Sequence, residues 1–122
     1  MDEITERGLQ LRERLKFPSN RETKPGIETE YVEFINRYVF GEVWCREGLD
    51  PRTRSCVTVA ILIAQNHMAH LELHLRAAVI NGASEGELRE IIFHSAVYCG
   101  AVLAADAFRV ADRVFASERT SV

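Results

Sequence analysis

The chain has four histidines, and three of them, His67, His70 and His74, fall in one short stretch of residues 66–78. On a helix turning ~100° per residue, with His67 at zero, His70 lies near ~−60° and His74 near ~−20°. All three then project from one face, which Leu71 and Ala78 share, while Ala69, Glu72 and Arg76 lie roughly opposite. Imidazoles beside small apolar groups admit three readings. One is metal binding, since His70 and His74 stand at i, i+4, a spacing that holds zinc from one helix face. The stretch has no His-Glu-x-x-His, however, and Glu72 points away from the histidines, so no metal is assigned. The second is an ordinary core or interface stripe. The third is general acid–base work, because an imidazole with its ordinary pKa near ~6.5 gives or takes a proton at neutral pH.

A proton-transfer site needs further walls. Tyr98, His94 and Trp44 offer ring and hydroxyl groups, and Arg46, Arg52 and Arg54 offer cations. Arginine matters for an acidic substrate, because its planar fork holds a carboxylate bidentately. Each arginine also reads as a solvated surface charge. Arg54 is the foremost candidate, since it opens the central helical stretch next to Trp44-Cys45-Arg46.

The elements that must position these residues read as helices throughout. Residues 2–16 carry Ile4, Leu9, Leu11 and Leu15 among Glu and Arg, and Pro18-Ser19-Asn20 stops that helix. A polar linker over 18–26 follows. The next helix, about 29–44, repeats Val32, Ile35, Val39 and Val43 at helical spacing. Asp50-Pro51 then marks a helix start, with Pro at the first helical position, where a missing N–H costs nothing. The helical pattern runs from Arg52 to Ile80 and stops at Asn81-Gly82. A run that long, against a mean near ~12 residues, is expected to break near Gln65-Asn66-His67. Ser84 with Glu87 fits a capping box and opens a helix to about Tyr98, with Leu88, Ile91, Ile92, Ser95 and Ala96 inward. Cys99-Gly100 permits a bend. The last helix, about 102–117, carries Ala104, Ala105, Phe108, Ala111, Val114 and Phe115. No segment alternates with a strand's period, so the expected class is all-α, with about six helices. We expect one domain over 1–122, with residues 1–26 as N-terminal helix and linker and 27–118 as core.

Composition excludes several functions. The 122 residues are 47% hydrophobic and 27% charged, with a net charge of −3, and no basic or aromatic-interleaved patch suggests nucleic acid. The longest apolar run, residues 57–64, is far short of the ~20 a bilayer span needs. The acidic start Met1-Asp2-Glu3 lacks the order of a signal peptide, and a cytoplasmic location is expected. Cys45, Cys56 and Cys99 include no C-x-x-C pair, so neither a disulfide framework nor a local redox dithiol is expected.

The stretch from Phe34 through Trp44-Cys45-Arg46, then Gly48-Leu49-Asp50-Pro51-Arg52-Thr53-Arg54-Ser55, resembles the carboxymuconolactone decarboxylase family. So do His74-Leu75-Arg76-Ala77-Ala78 with Asn81-Gly82, Glu87-Leu88-Arg89-Glu90-Ile91-Ile92, and Ala96-Val97-Tyr98-Cys99-Gly100. The resemblance covers about residues 2–117. It implies an all-α alkylhydroperoxidase D-like fold, a homo-oligomer (a trimer or hexamer) with sites near subunit interfaces, and a cofactor-free decarboxylase. Its name-giving reaction takes 4-carboxymuconolactone to 3-oxoadipate enol-lactone and CO2 in the breakdown of aromatic compounds. In those terms His74 and His70 handle the proton, and Arg54, Trp44, Arg46, His67, Tyr98 and His94 bind a small carboxylated lactone. The peroxidase branch of the superfamily keeps a C-x-x-C pair where His67 and His70 stand, so peroxidase chemistry is not implied. Residues 100–106 lack the Pro and Asn common after Tyr-Cys-Gly, and Glu47 stands where proline is common. The implied alternatives are therefore a related lyase or isomerase acting on another small carboxylic acid or lactone, or a non-catalytic oligomeric ligand-binding member of the family.

Overall fold

A computed structural model describes residues 2–18 and 27–120. Among these are six α-helices and one π-helical stretch, with no strand, so the fold is all-α as expected. Apart from Pro18, the linker expected over 18–26 lies outside the described residues. Contacts group the chain into two compact units, Met1–Asp50 and Pro51–Val122.

In the first unit α1 is Glu3–Arg14, and α2 is Ile27–Phe34, which runs directly into a π-helix, Ile35–Val43. Asp2 caps α1 by accepting a hydrogen bond from the Thr5 backbone N–H at 2.7 Å, one of the orphan donors of a helix start. That bond is the largest cause holding the Asp2 carboxyl below its ordinary pKa, with the nearby Arg37 guanidinium adding to it. The inward stripe expected from Val32, Ile35, Val39 and Val43 is not the buried one. Asn36, Phe40 and Gly41 are buried instead, and Val43 is largely exposed. The reason is the i to i−5 hydrogen bonding, seen where Trp44 N–H donates to Val39 C=O at 2.9 Å. The widened turn makes inward positions recur four to five residues apart instead of three to four.

Two glycines let α1 cross the π-helix in backbone contact. A Cβ on Gly8 would lie 2.0 Å from the Asn36 carbonyl oxygen, and one on Gly41 would lie 2.3 Å from the Ile4 carbonyl oxygen. The Arg7 guanidinium fastens the crossing by donating to the Gly41 carbonyl at 2.6 and 3.0 Å. Phe40 packs on Phe17 at 5.6 Å and stacks with Trp44 at 6.2 Å, with the Arg12 guanidinium 4.9 Å over its ring.

The second unit holds α3 Pro51–Ala64, α4 Met68–Ile80, α5 Glu85–Cys99 and α6 Ala101–Thr120. The expected break occurs. Asn66 takes a left-handed φ of 59°, which an Asn tolerates better than most residues, and α4 starts two residues later. Gly82 and Gly100, with φ of 105° and 100°, end α4 and α5 in conformations that suit glycine. The capping box is present, with Glu87 N–H donating to Ser84 Oγ at 3.1 Å and Ser84 N–H to Glu87 Oε1 at 3.0 Å.

Helix α3 packs against α4, α5 and α6, and α6 also packs against α4 and α5. Val59, Ile63, Leu71, Leu75, Leu88, Ile92, Val114 and Phe115 form a core with no exposed surface. On α6 the small residues Ala104, Ala107 and Ala111 are buried and permit close helix approach, whereas Ala105 is exposed. Among the described residues no helix is long and apolar enough to cross a membrane.

Gly8→Ala is expected to weaken the α1 crossing by ~1–3 kcal/mol, the usual cost of overpacking a tight contact. Amide hydrogen exchange of α1 checks it. Protection of α1 equal to that of the unaltered chain would refute the backbone contact.

Candidate active site

The α3–α4 hairpin carries most of the residues singled out by sequence. His67 is the N-cap of α4, at φ −97° and ψ 70°, and its side chain makes no capping hydrogen bond. Its N–H donates to Leu62 C=O at 2.9 Å and its C=O accepts from Leu71 N–H at 2.9 Å, which closes the turn. His67 and His70 meet edge to face with ring centroids 6.5 Å apart, and both are exposed. His74 is half-buried, and its Nδ1 is sealed from solvent.

The expectation that all three histidines share one helix face with Leu71 and Ala78 needs correction at His67, which precedes the helix as its N-cap. The buried residues of α4 are Leu71, Leu75, Ala77 and Ala78. At ~100° per residue they span an arc of ~160°, and His74 falls within it, between Ala77 and Ala78. His70 lies on the same side of the helix but in its first turn, where it is exposed. Glu72 and Arg76 do lie elsewhere on α4, ion-paired at 3.1 Å. Among the described residues no group of three or more His, Cys, Asp or Glu is arranged to hold a metal ion.

The start of α3 supplies the cation. Arg54 is half-buried with its Nε sealed, and its carbonyl accepts from Thr58 Oγ1 at 2.9 Å. Its neighbour Ser55 has no exposed surface, and the Asn81 side-chain amide at the end of α4 donates to Ser55 Oγ at 2.9 Å. This bond sets the hairpin register by placing Arg54 level with Asn81. At 1.5 Å per residue, His74 then lies about 10 Å along the hairpin and His70 about 16 Å. Arg54 and the exposed His67–His70 pair stand at opposite ends. Arg52 adds an ion pair to Glu87 in the first turn of α5.

On α5, His94 and Tyr98 pack ring against ring at 5.2 Å, and Tyr98 is 78% exposed. His94 also faces α3 across a groove of about 380 Å³, where Thr53, Cys56 and Ala60 form the opposite wall. Trp44 and Arg46 belong to the first unit. Trp44 is the C-cap of the π-helix, stacked on Phe40, and Arg46 is exposed just beyond it. Sequence reasoning missed Ser55 and the groove residues Thr53 and Cys56. A serine just before the apolar helical run of residues 57–64 was the available signal for Ser55. Asn81 was read only as a helix stop.

The family profile of carboxymuconolactone decarboxylases matches residues 29–113. This chain belongs to that family. The match spans Trp44, Arg54, the three clustered histidines and Tyr98. This family member is 42% identical over 86 residues to a 4-carboxymuconolactone decarboxylase of Acinetobacter baylyi, covering 70% of the chain and 64% of the relative. It is 44% identical over 78 residues to a nitrosuccinic acid decarboxylase of Metarhizium robertsii, covering 64% and 51%. An uncharacterized 15.0 kDa protein of Paracoccus denitrificans is 33% identical over 81 residues, covering 65% and 60%. The chain thus spans between half and just under two thirds of the length of the curated relatives it matches.

Ser55→Ala and Asn81→Ala are each expected to lower stability by ~0.5–3 kcal/mol, because each removes a part-buried hydrogen bond and Asn81→Ala leaves the buried Ser55 hydroxyl unmatched. The double variant should cost less than the sum of the two. Urea denaturation measures this, and strict additivity would show that the pair makes no coupled bond.

Proposed function

We propose that this protein is a cofactor-free decarboxylase acting on a carboxylated lactone, 4-carboxymuconolactone or a close analogue, in the breakdown of aromatic compounds. The observation that carries the reading is the 42% identity to the Acinetobacter enzyme across the stretch that includes Arg54 and His74. The nitrosuccinic acid relative supports a wider substrate class. In either acid the C–C bond to the departing carboxylate can leave its electron pair on a carbon joined to an electron-accepting group. That group is the unsaturated lactone carbonyl in one case and the nitro group in the other. Both acids also keep a second carboxylate after CO2 has gone.

The chemistry follows from these demands. As CO2 leaves the lactone, the bonding pair spreads through the alkene into the carbonyl oxygen, giving a dienolate. A proton then goes to the carbon next to that carbonyl, and the product is the enol-lactone. Electrons leave and return within the substrate's own π-system, so the step asks for no cofactor. In this proposal Arg54 holds the retained carboxylate and His74 delivers the proton, with His70 and His67 supplying hydrogen bonds. His94 and Tyr98 are proposed to line the pocket. Half-burial between the buried Ala77 and Ala78 suits His74 to this role, because a restricted imidazole is held in one orientation.

We further propose a cytoplasmic homo-oligomer, a trimer or hexamer. An apolar strip on α5 and the start of α6 supports self-association, since Phe93, Val97, Tyr98 and Val102 are 62–78% exposed.

Incubation with 4-carboxymuconolactone and, in parallel, with nitrosuccinate tests the reading. CO2 release from the lactone with formation of 3-oxoadipate enol-lactone is the expected result. Turnover of nitrosuccinate alone would move the substrate within the same reaction class, and no CO2 from either would overturn the proposal. His74→Ala should lower the rate by ~10²–10⁴ with little change in stability. Undiminished turnover in that variant would remove His74 as the proton donor.

A further inference from the structure

A part-buried hydrogen bond at the start of α3 lies next to the proposed carboxylate anchor. Ser55 follows Arg54 by one residue and has no exposed surface. A buried hydroxyl of this kind often bonds back to a carbonyl in the preceding turn, as Thr58 does to Arg54 C=O at 2.9 Å and Ser95 to Ile91 C=O at 2.8 Å. Ser55 differs in receiving a bond from another helix end, the Asn81 amide, at 2.9 Å. Asn81 is itself held, because its backbone N–H closes α4 on the Ala77 carbonyl. The bond therefore ties the phase of α3 at Arg54 to the end of α4, two turns beyond His74. The Arg52–Glu87 pair ties the same turn of α3 to α5.

We infer that Ser55 and Asn81 are a positioning pair that holds the Arg54 guanidinium in the frame of the His74 helix. The inference rests on the proposed role of Arg54 as carboxylate anchor. Neither side chain of the pair touches substrate in this scheme. A slip of α3 by one residue moves Arg54 ~1.5 Å along the axis, and displacements near ~1 Å can cost ~10²-fold in rate.

The test uses the full chain and follows solvent exchange of the Arg54 Nε–H by nitrogen-resolved NMR, because that atom is sealed in the folded protein. Ser55→Ala and Asn81→Ala should each speed this exchange about tenfold or more beyond the uniform loss of protection that their lower stability gives the backbone amides of α3 and α4. Ser55→Cys, close in size and a weaker acceptor, should fall between. In the decarboxylation assay the alanine variants should raise KM about tenfold with a smaller change in kcat, the pattern of a lost binding interaction. Unchanged Arg54 exchange in both alanine variants overturns the pairing, as does Arg54 exchange that speeds only as much as the backbone amides of the two helices, which marks a merely structural bond. Faster Arg54 exchange with KM unchanged would leave the pair standing and remove Arg54 as anchor. If the unaltered protein releases no CO2, the decarboxylase reading fails by itself, and the exchange measurement still decides the pair.

Discussion

Burial of Leu71, Leu75, Ala77 and Ala78 on one side of α4 is the constraint on which the arrangement of the candidate site depends. Apolar burial is worth roughly 25 cal/mol per Å², so the rotation that hides all four side chains outweighs any preference of the imidazoles. Once that rotation is set, the histidines have no freedom in where they stand. His74 comes between buried neighbours, where its Nδ1 is sealed, and His70, one turn nearer the helix start, stays at the surface. The left-handed turn at Asn66 completes the arrangement by ending α3 before His67 can join a continuous helix.

The opposite end of the hairpin is organised by polar groups. Ser55, Asn81, Arg52 and Glu87 draw the start of α3, the end of α4 and the start of α5 together, and the Ser84 capping box holds α5 in place. The exposed ion pairs there contribute little individually. The Ser55–Asn81 bond counts for more, because it is shielded and an unmatched partner would stay buried. The proposed reaction calls for a fixed cation and a fixed acid, and the residues proposed for them, Arg54 and His74, stand about 10 Å apart along the hairpin. The first unit is held by different means. Gly8 and Gly41 bring two backbones into contact, and the π-helix supplies the wide turn that this crossing requires.

Much of this was legible in residue order. Helix starts at Pro51 and Ser84, stops at Asn81-Gly82 and Gly100, and the break before Met68 follow from local chemistry. Capping hydrogen bonds, the fixed φ of proline and the positive φ open to glycine act within a few residues of sequence. The family resemblance was legible for a related reason, since its motifs sit on these same helix starts and ends. The buried stripe of residues 35–43 was not legible, because hydrogen-bond spacing inside a helix responds to what crosses it. Nothing in the order of Val32, Ile35, Val39 and Val43 reports that Gly8 will approach Gly41.

The sequence by itself therefore determined the all-α class, the family and the residue types available for chemistry. Tertiary structure decided which of those residues stand together. It left His67 and His70 as an exposed pair, set His74 between buried neighbours and joined His94 to Tyr98. It also turned Ser55 from an unremarked serine into the partner of Asn81, 26 residues away. The physical reason is that periodicity specifies angles within one helix, whereas the phase of each helix against its neighbours is set by side chains far away in the chain.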